Sequence, residues 1–370
     1  MTAARLVARC VSGLETVVIE EILAAGLGTI TRAGHRSVEF AADRPGPGVL
    51  RLRTADDVFL VAGRAPDVGH TRDGLGALAG LARSVDARRL IRARRELGGA
   101  AGPGGKTGIA GIEVSASFLG RRNFNRYDAE DAVGAVLAER LGVPYHSRRG
   151  GAPPPDGCAG WRLVLDGVHA CLMARVAARP LHRRDYKRRT IPGTLHPPVA
   201  AAMARLAAPR PGELVVDPCC GAGTLLIEAA QAQPLARLHG FDLDPRALAA
   251  ARANAEGAEG AGGAEGAAGI VLRRADAARL PLPDGSVDAV VCNPPWGGQV
   301  APGGGLAAAP GRWWAEVARV LRPEGRAVVL VPDTAALGVA IRHGLLPGHL
   351  RHLSVSGAHP HVAVLTKKKD

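Results

Sequence analysis

Apolar positions along this chain follow two periods, and the change between them divides it. Residues 5–11 alternate as a strand does, residues 14–25 repeat as an amphipathic helix with Glu15, Glu20 and Glu21 outward, and residues 37–40 form a short strand. Another apolar stretch at 50–62 completes a small α+β unit over residues 1–62. Helices are predicted at 75–83 and 87–96, the second carrying Arg88, Arg89, Arg92, Arg94 and Arg95. A glycine-rich break at 98–106 separates them from a strand at 111–118. A basic turn then feeds a helix within 120–143, and strands at 161–165 and 168–176 form a hairpin turning on Asp166-Gly167. These elements make a second unit over 63–178, followed by a basic, proline-punctuated linker at 179–198.

From residue 199 onward strand and helix alternate. Strands are predicted at 213–217, 238–242, 270–275, 287–293 and 327–331, with helices at 224–233, 245–255 and 312–321. Repeated βα units require parallel strands and crossover helices, so this is an α/β domain with a doubly wound, mostly parallel sheet. The Gly/Ala/Glu run 257–269 reads as a surface loop.

Charge changes the picture. The formal net charge is +13, and residues 1–190 hold 30 basic against 19 acidic side chains, which leaves a surplus of eleven in the first half. Such a surface suits an acidic partner, most commonly nucleic acid. Only twelve residues (Trp 4, Tyr 3, Phe 5) are aromatic, which argues against many stacking platforms. No long apolar run and no signal-peptide core is present, so a cytoplasmic protein without a membrane partner is expected. The six cysteines form no CxxC pair and the late histidines follow no ligand spacing, so neither disulfides nor a metal is expected.

The chemistry gathers at strand tips. The run from Leu214 to Thr224 is an apolar strand that ends in Asp217, turns through Cys219, Gly221 and Gly223, and opens a helix at Thr224. Glycines there let a ligand approach backbone N–H groups, as in a dinucleotide fold; Leu226 stands where that fold wants its third glycine. Asp242, at the next strand tip, suits the vicinal hydroxyls of a ribose, while Asp244 suits a helix cap. Asp276, at the third, is placed for an adenine amine. The fourth strand runs into Asn293-Pro294-Pro295-Trp296.

Asn-Pro-Pro-Trp after such a glycine loop resembles the NPP[Y/F/W] motif of amino-group methyltransferases that use S-adenosylmethionine, and implies the class I, Rossmann-like methyltransferase fold. The resemblance implies that the Asn293 side-chain oxygen and the Pro294 carbonyl accept from an sp² amine, and that Trp296 stacks on a flipped base. It also implies that Asp217, Cys219, Gly221, Gly223, Thr224, Asp242, Asp276 and Asn293 line the cofactor site. Upstream, Pro192–Met203 and Asp217–Ala229 resemble the PGxLxPxxA and DPxCGxGTxxIEA blocks of THUMP-domain RNA methyltransferases. Residues 13–22, 121–128 and 179–186 match looser blocks of the same family. That resemblance implies a ferredoxin-like domain (1–62), a THUMP domain (63–178) and a catalytic domain (199–370). It implies a monomer that forms N2-methylguanosine in tRNA, at position 6 of the acceptor stem, and that engages the tRNA 3′ end. Arg121, Arg122, Arg126, Arg183, Arg184 and Lys187 are the candidate RNA contacts. An rRNA guanine-N2 enzyme, methyltransferases acting on adenine N6 or protein glutamine, and an RNA-binding protein with a vestigial catalytic domain are the alternatives. Relatives mostly carry Phe or Tyr where Trp296 stands, and the glycine-rich run 298–306 departs from the family pattern, which bears on substrate choice.

Overall fold

The computed structural model describes residues 4–42, 46–99, 108–260, 269–297, 300–355 and 357–369. Two compact units emerge. One comprises Met1–Cys10 with Val18–Leu181, the other Val11–Val17 with His182–Asp370.

In chain order the first unit contains β1 (Ala4–Arg9), α1 (Glu15–Ala24) from Val18 onward, β2 (Thr29–Gly34), β3 (Ser37–Ala42), β4 (Asp57–Pro66), α2 (Leu75–Ser84), α3 (Ala87–Glu96), β5 (Gly111–Phe118), α4 (Arg126–Leu141), β6 (Cys158–Leu165) and β7 (His169–Arg175). Its strands form one seven-stranded sheet in the order β2-β3-β1-β4-β7-β6-β5. The expected units 1–62 and 63–178 therefore share a sheet, joined where β4 pairs antiparallel with β7 (Phe59 beside Arg175). Helices α2, α3 and α4 bury Leu78, Ile91, Val133 and Leu137 against Val114, Trp161 and Leu163 of that sheet. A capping box starts α4: Asn125 accepts from the Tyr127 and Asp128 backbone, and Asp128 accepts from the Asn125 N–H. Strand β2 escaped the sequence reading because its positions 29–34 are mostly exposed and carry no apolar alternation.

The second unit contains α5 (Pro197–Ala207), β8 (Leu214–Asp217), α6 (Thr224–Ala232), β9 (Arg237–Asp242), α7 (Pro245–Gly260), β10 (Ile270–Arg274), β11 (Val287–Cys292), α8 (Gly304–Ala308), α9 (Pro310–Val320), β12 (Leu321–Val331), α10 (Ala335–Arg342), β13 (Leu345–His352) and β14 (His361–Lys367). Its sheet order is β10-β9-β8-β11-β12-β14-β13. The first five strands are parallel, and β14 and β13 close the edge antiparallel. Strand order reverses between β8 and β11, and a crevice beyond the carboxyl ends at such a reversal is where open α/β sheets bind ligands.

Two expectations change here. Helix α7 continues through Gly257 to Gly260, so the first residues of the expected surface loop 257–269 are helical; 261–268 lie outside the described residues. Most of the glycine-rich break 98–106 also lies outside them. The expected linker 179–198 ends in α5, and from His182 onward it belongs to the second unit. No helix among the described residues is long and apolar enough to cross a membrane.

Candidate active site

The tip of β8 carries Asp217, 1% exposed, whose carboxylate accepts from the Cys219 N–H at 3.1 Å. Burial pushes its pKa up to about 7, with the neighbouring Asp242 charge acting in the same direction. Gly221 (φ +51°) has open space where a Cβ would stand, and Gly223 (φ +78°) caps α6 without any side-chain bond. Beside it the buried Thr224 hydroxyl has no hydrogen-bond partner. Uncapped N–H groups, an orphaned hydroxyl and a glycine shelf fit the carboxylate end of an amino-acid-bearing cofactor.

The β9 tip meets this loop directly. Asp242 accepts from the Gly221 N–H at 2.9 Å through one oxygen and from the Asp244 N–H at 2.9 Å through the other. Two donors leave lone pairs free on a carboxylate, so ribose hydroxyls can still be accepted. Asp244 accepts from the Arg246 N–H at 2.8 Å and starts α7, the capping role expected of it. Beyond β10, Asp276 accepts from the Ala278 N–H at 2.9 Å and from the Gly305 N–H at 2.8 Å. The second bond comes from the glycine-rich run 298–306, of which 298 and 299 lie outside the described residues. A Cβ at Gly304 would lie 2.6 Å from the Asp276 carboxylate, so glycine is what allows this segment so close.

At the β11 tip, Asn293 donates through Nδ2 to the Gly193 carbonyl at 3.4 Å. Pro294, Pro295 and Trp296 line a cavity of about 110 Å³ together with Pro302, Leu306 and Trp313. Trp296 donates from its indole nitrogen to the Leu330 carbonyl at 2.8 Å and packs edge-on to Trp313, ring centroids 6.1 Å apart. The buried Trp313 indole nitrogen has no acceptor. Trp313 and Trp314, within the helix expected at 312–321, were not singled out from the sequence. Two adjacent tryptophans among the four of the whole chain were the available signal.

The RNA candidates separate by burial. Arg121, Arg126 and Arg183 are exposed. Arg126 donates to the Tyr127 hydroxyl at 2.7 Å and lies 4.7 Å from that ring's centroid. Arg122 is a correction: its side chain is 1% exposed, forks onto both Asp67 oxygens at 2.7 and 2.8 Å, and sits between Phe118 and Phe124. Arg184 is another, 7% exposed and paired at 3.1 Å with Glu228, itself fully buried. Burial and these carboxylate partners give both side chains a structural role in the fold. Lys187 is half-buried, and burial lowers the pKa of its ammonium. Among the described residues no His, Cys, Asp or Glu cluster is arranged to hold a metal ion.

Residues 184–345 match the RMKL-like methyltransferase domain. The second unit therefore holds a methyltransferase domain of the class I fold, and S-adenosylmethionine is its cofactor. Over 358 residues the chain is 31% identical to the tRNA (guanine(6)-N2)-methyltransferase of Thermus thermophilus, covering 96% of this chain and 97% of that one. The crystal structure of TrmN from Thermus thermophilus superposes with a TM-score of 0.75 at 29% identity, covering 98% of this chain and 99% of that one. The U6 snRNA (guanine-N(2))-methyltransferase THUMPD2 of Bos taurus is 32% identical over 171 residues, 46% of this chain and 32% of that protein. The chain belongs to the THUMP-type RNA methyltransferase family.

Proposed function

We propose that this protein methylates the exocyclic N2 of a guanosine in RNA, with tRNA as the substrate and guanosine 6 of the acceptor stem as the position. The observation that carries the reading is the apolar, tryptophan-walled cavity lined by Pro294, Pro295 and Trp296, which directly follow Asn293 in the chain. A flipped base inserted there would present its amine to the Asn293 side-chain oxygen and the Pro294 carbonyl, two acceptors for its two N–H groups. Holding both hydrogens draws the nitrogen lone pair out of conjugation and points it at the methyl donor. S-adenosylmethionine, when bound, supplies a methyl group on a sulfonium, whose thioether is a good leaving group. Asp217, Gly221, Gly223, Thr224, Asp242 and Asp276 would hold that cofactor, and Cys219 shapes the same turn. The Thermus and bovine relatives are both named for guanine N2 but for different RNAs. The amine is thus the better supported half of the proposal. The exposed Arg121, Arg126 and Arg183 would contact RNA phosphates, which suits the surplus of positive charge before Ile191.

Incubating deproteinised tRNA and rRNA pools with the protein and labelled cofactor, then analysing nucleosides, tests this. Label in N2-methylguanosine from tRNA, mapped to position 6, is the expected result. Label in N6-methyladenosine, or none in any pool, would overturn it.

A further inference from the structure

The segment between the first unit and α5 is fastened to the catalytic unit at three places. Arg184 at 3.1 Å and the Tyr186 hydroxyl at 2.9 Å both donate to one oxygen of the buried Glu228 on α6. Asn254 on α7, wholly buried, accepts from the Arg189 N–H at 2.8 Å and donates to the Arg189 carbonyl at 3.0 Å and the Ala222 carbonyl at 2.9 Å. Asn293 donates to the Gly193 carbonyl. Where the segment crosses α7, a Cβ on Gly257 would lie 2.7 Å from the Tyr186 carbonyl, so the close crossing requires that glycine. A peptide held this way is a strap rather than a linker.

The third fastening bears on chemistry. An asparagine amide offers one acceptor and one donor end, and a half-turn about its last torsion exchanges them. Asn293 serves a target amine only with its oxygen toward that amine. We infer that the Gly193 carbonyl is the positioning group that fixes the Asn293 amide with its oxygen toward the target amine, and that Glu228 and Asn254 hold the strap so that this carbonyl stays in place. Gly193 has φ +76°, a left-handed conformation that aims its carbonyl and that β-carbon-bearing residues resist. This accounts for two motif positions, Gly193 and Glu228, that cofactor binding leaves without a role. The inference rests on Asn293 holding the amine.

The test uses the full chain with an RNA it methylates. A Cβ at Gly193 would lie 2.7 Å from a methyl of Val300, so each substitution is paired with Val300→Ala to remove the clash. Single-turnover transfer should fall about tenfold or more in Gly193→Ala/Val300→Ala, with RNA and cofactor dissociation constants within about twofold of wild type. Gly193→Asn/Val300→Ala should recover most of the rate, because asparagine tolerates the left-handed region. Full transfer by the alanine pair beside an inactive Asn293→Ala would overturn the positioning role and leave the amine-holding reading intact. Active Asn293→Ala would remove both. Transfer that falls only in step with melting temperature or cofactor affinity would count against the inference.

Discussion

The Trp296 indole nitrogen donates to the Leu330 carbonyl on β12 at 2.8 Å, so the residue expected to stack on a base is tied to the sheet by its own edge. Phe at this position could not make that bond. Trp296→Phe should keep a stacking face yet lose ~0.5–1.5 kcal/mol of stability, the worth of one such hydrogen bond. Trp296→Ala should raise the KM for RNA much more than Phe does. Thermal melts and RNA titrations of the two variants check this, and equal KM increases in both would contradict the stacking role.

The Asp242 carboxylate binds the glycine loop as well as facing the ribose position. Asp242→Ala should weaken cofactor binding by ~1–3 kcal/mol, the cost of leaving hydrogen-bonded groups without a partner. It should also lower the melting temperature without cofactor, because the Gly221 and Asp244 N–H groups lose their acceptor. Calorimetry beside a melt separates the two effects, and unchanged affinity would move the ribose role to another acid.

Asp217 makes stability depend on pH with a definite sign. Its folded pKa, about 7, lies above the unfolded value. Between roughly pH 4 and 7 the unfolded chain releases this proton first, so the stability it confers is complete at low pH and is lost on approaching neutrality. Asp217→Asn should flatten that decline, as melts at pH 5 and pH 8 would show. A cationic cofactor favours the carboxylate, so its affinity should rise with pH over the same window. An identical pH slope in wild type and variant would contradict the assignment.

Arg121 and Arg122 stand side by side in the sequence and should behave oppositely. Arg121→Ala with Arg126→Ala should weaken RNA binding and shallow its salt dependence by about one counterion per lost phosphate contact, with the melting temperature unchanged. Arg122→Ala strands the buried Asp67 and should cost ~3–5 kcal/mol of stability. Salt-dependent RNA titrations and denaturant melts distinguish these outcomes.

That pair shows where legibility in the sequence stops. The strand-tip acids, the glycine loop and Asn293 were readable because each sits within a few residues of the turn that defines it. Arg122 looked like its exposed neighbour because its partner Asp67 lies 55 positions away, and nothing local marks an ion pair of that span. The single sheet of the first unit depends likewise on β4 meeting β7 across more than a hundred residues. The strap was misread as a linker because its anchors, Glu228 and Asn254, lie on helices whose helical pattern gives no hint of what they hold. Edge strand β13 went unseen, since most of it is exposed and it is interrupted by Pro347 and Gly348.

The account stands or falls on Asn293. In Asn293→Ala, single-turnover methyl transfer to guanosine in tRNA, measured beside titrations of cofactor and RNA, should drop by ~10²-fold or more while both affinities remain near wild type. Turnover retained in that variant would contradict the account.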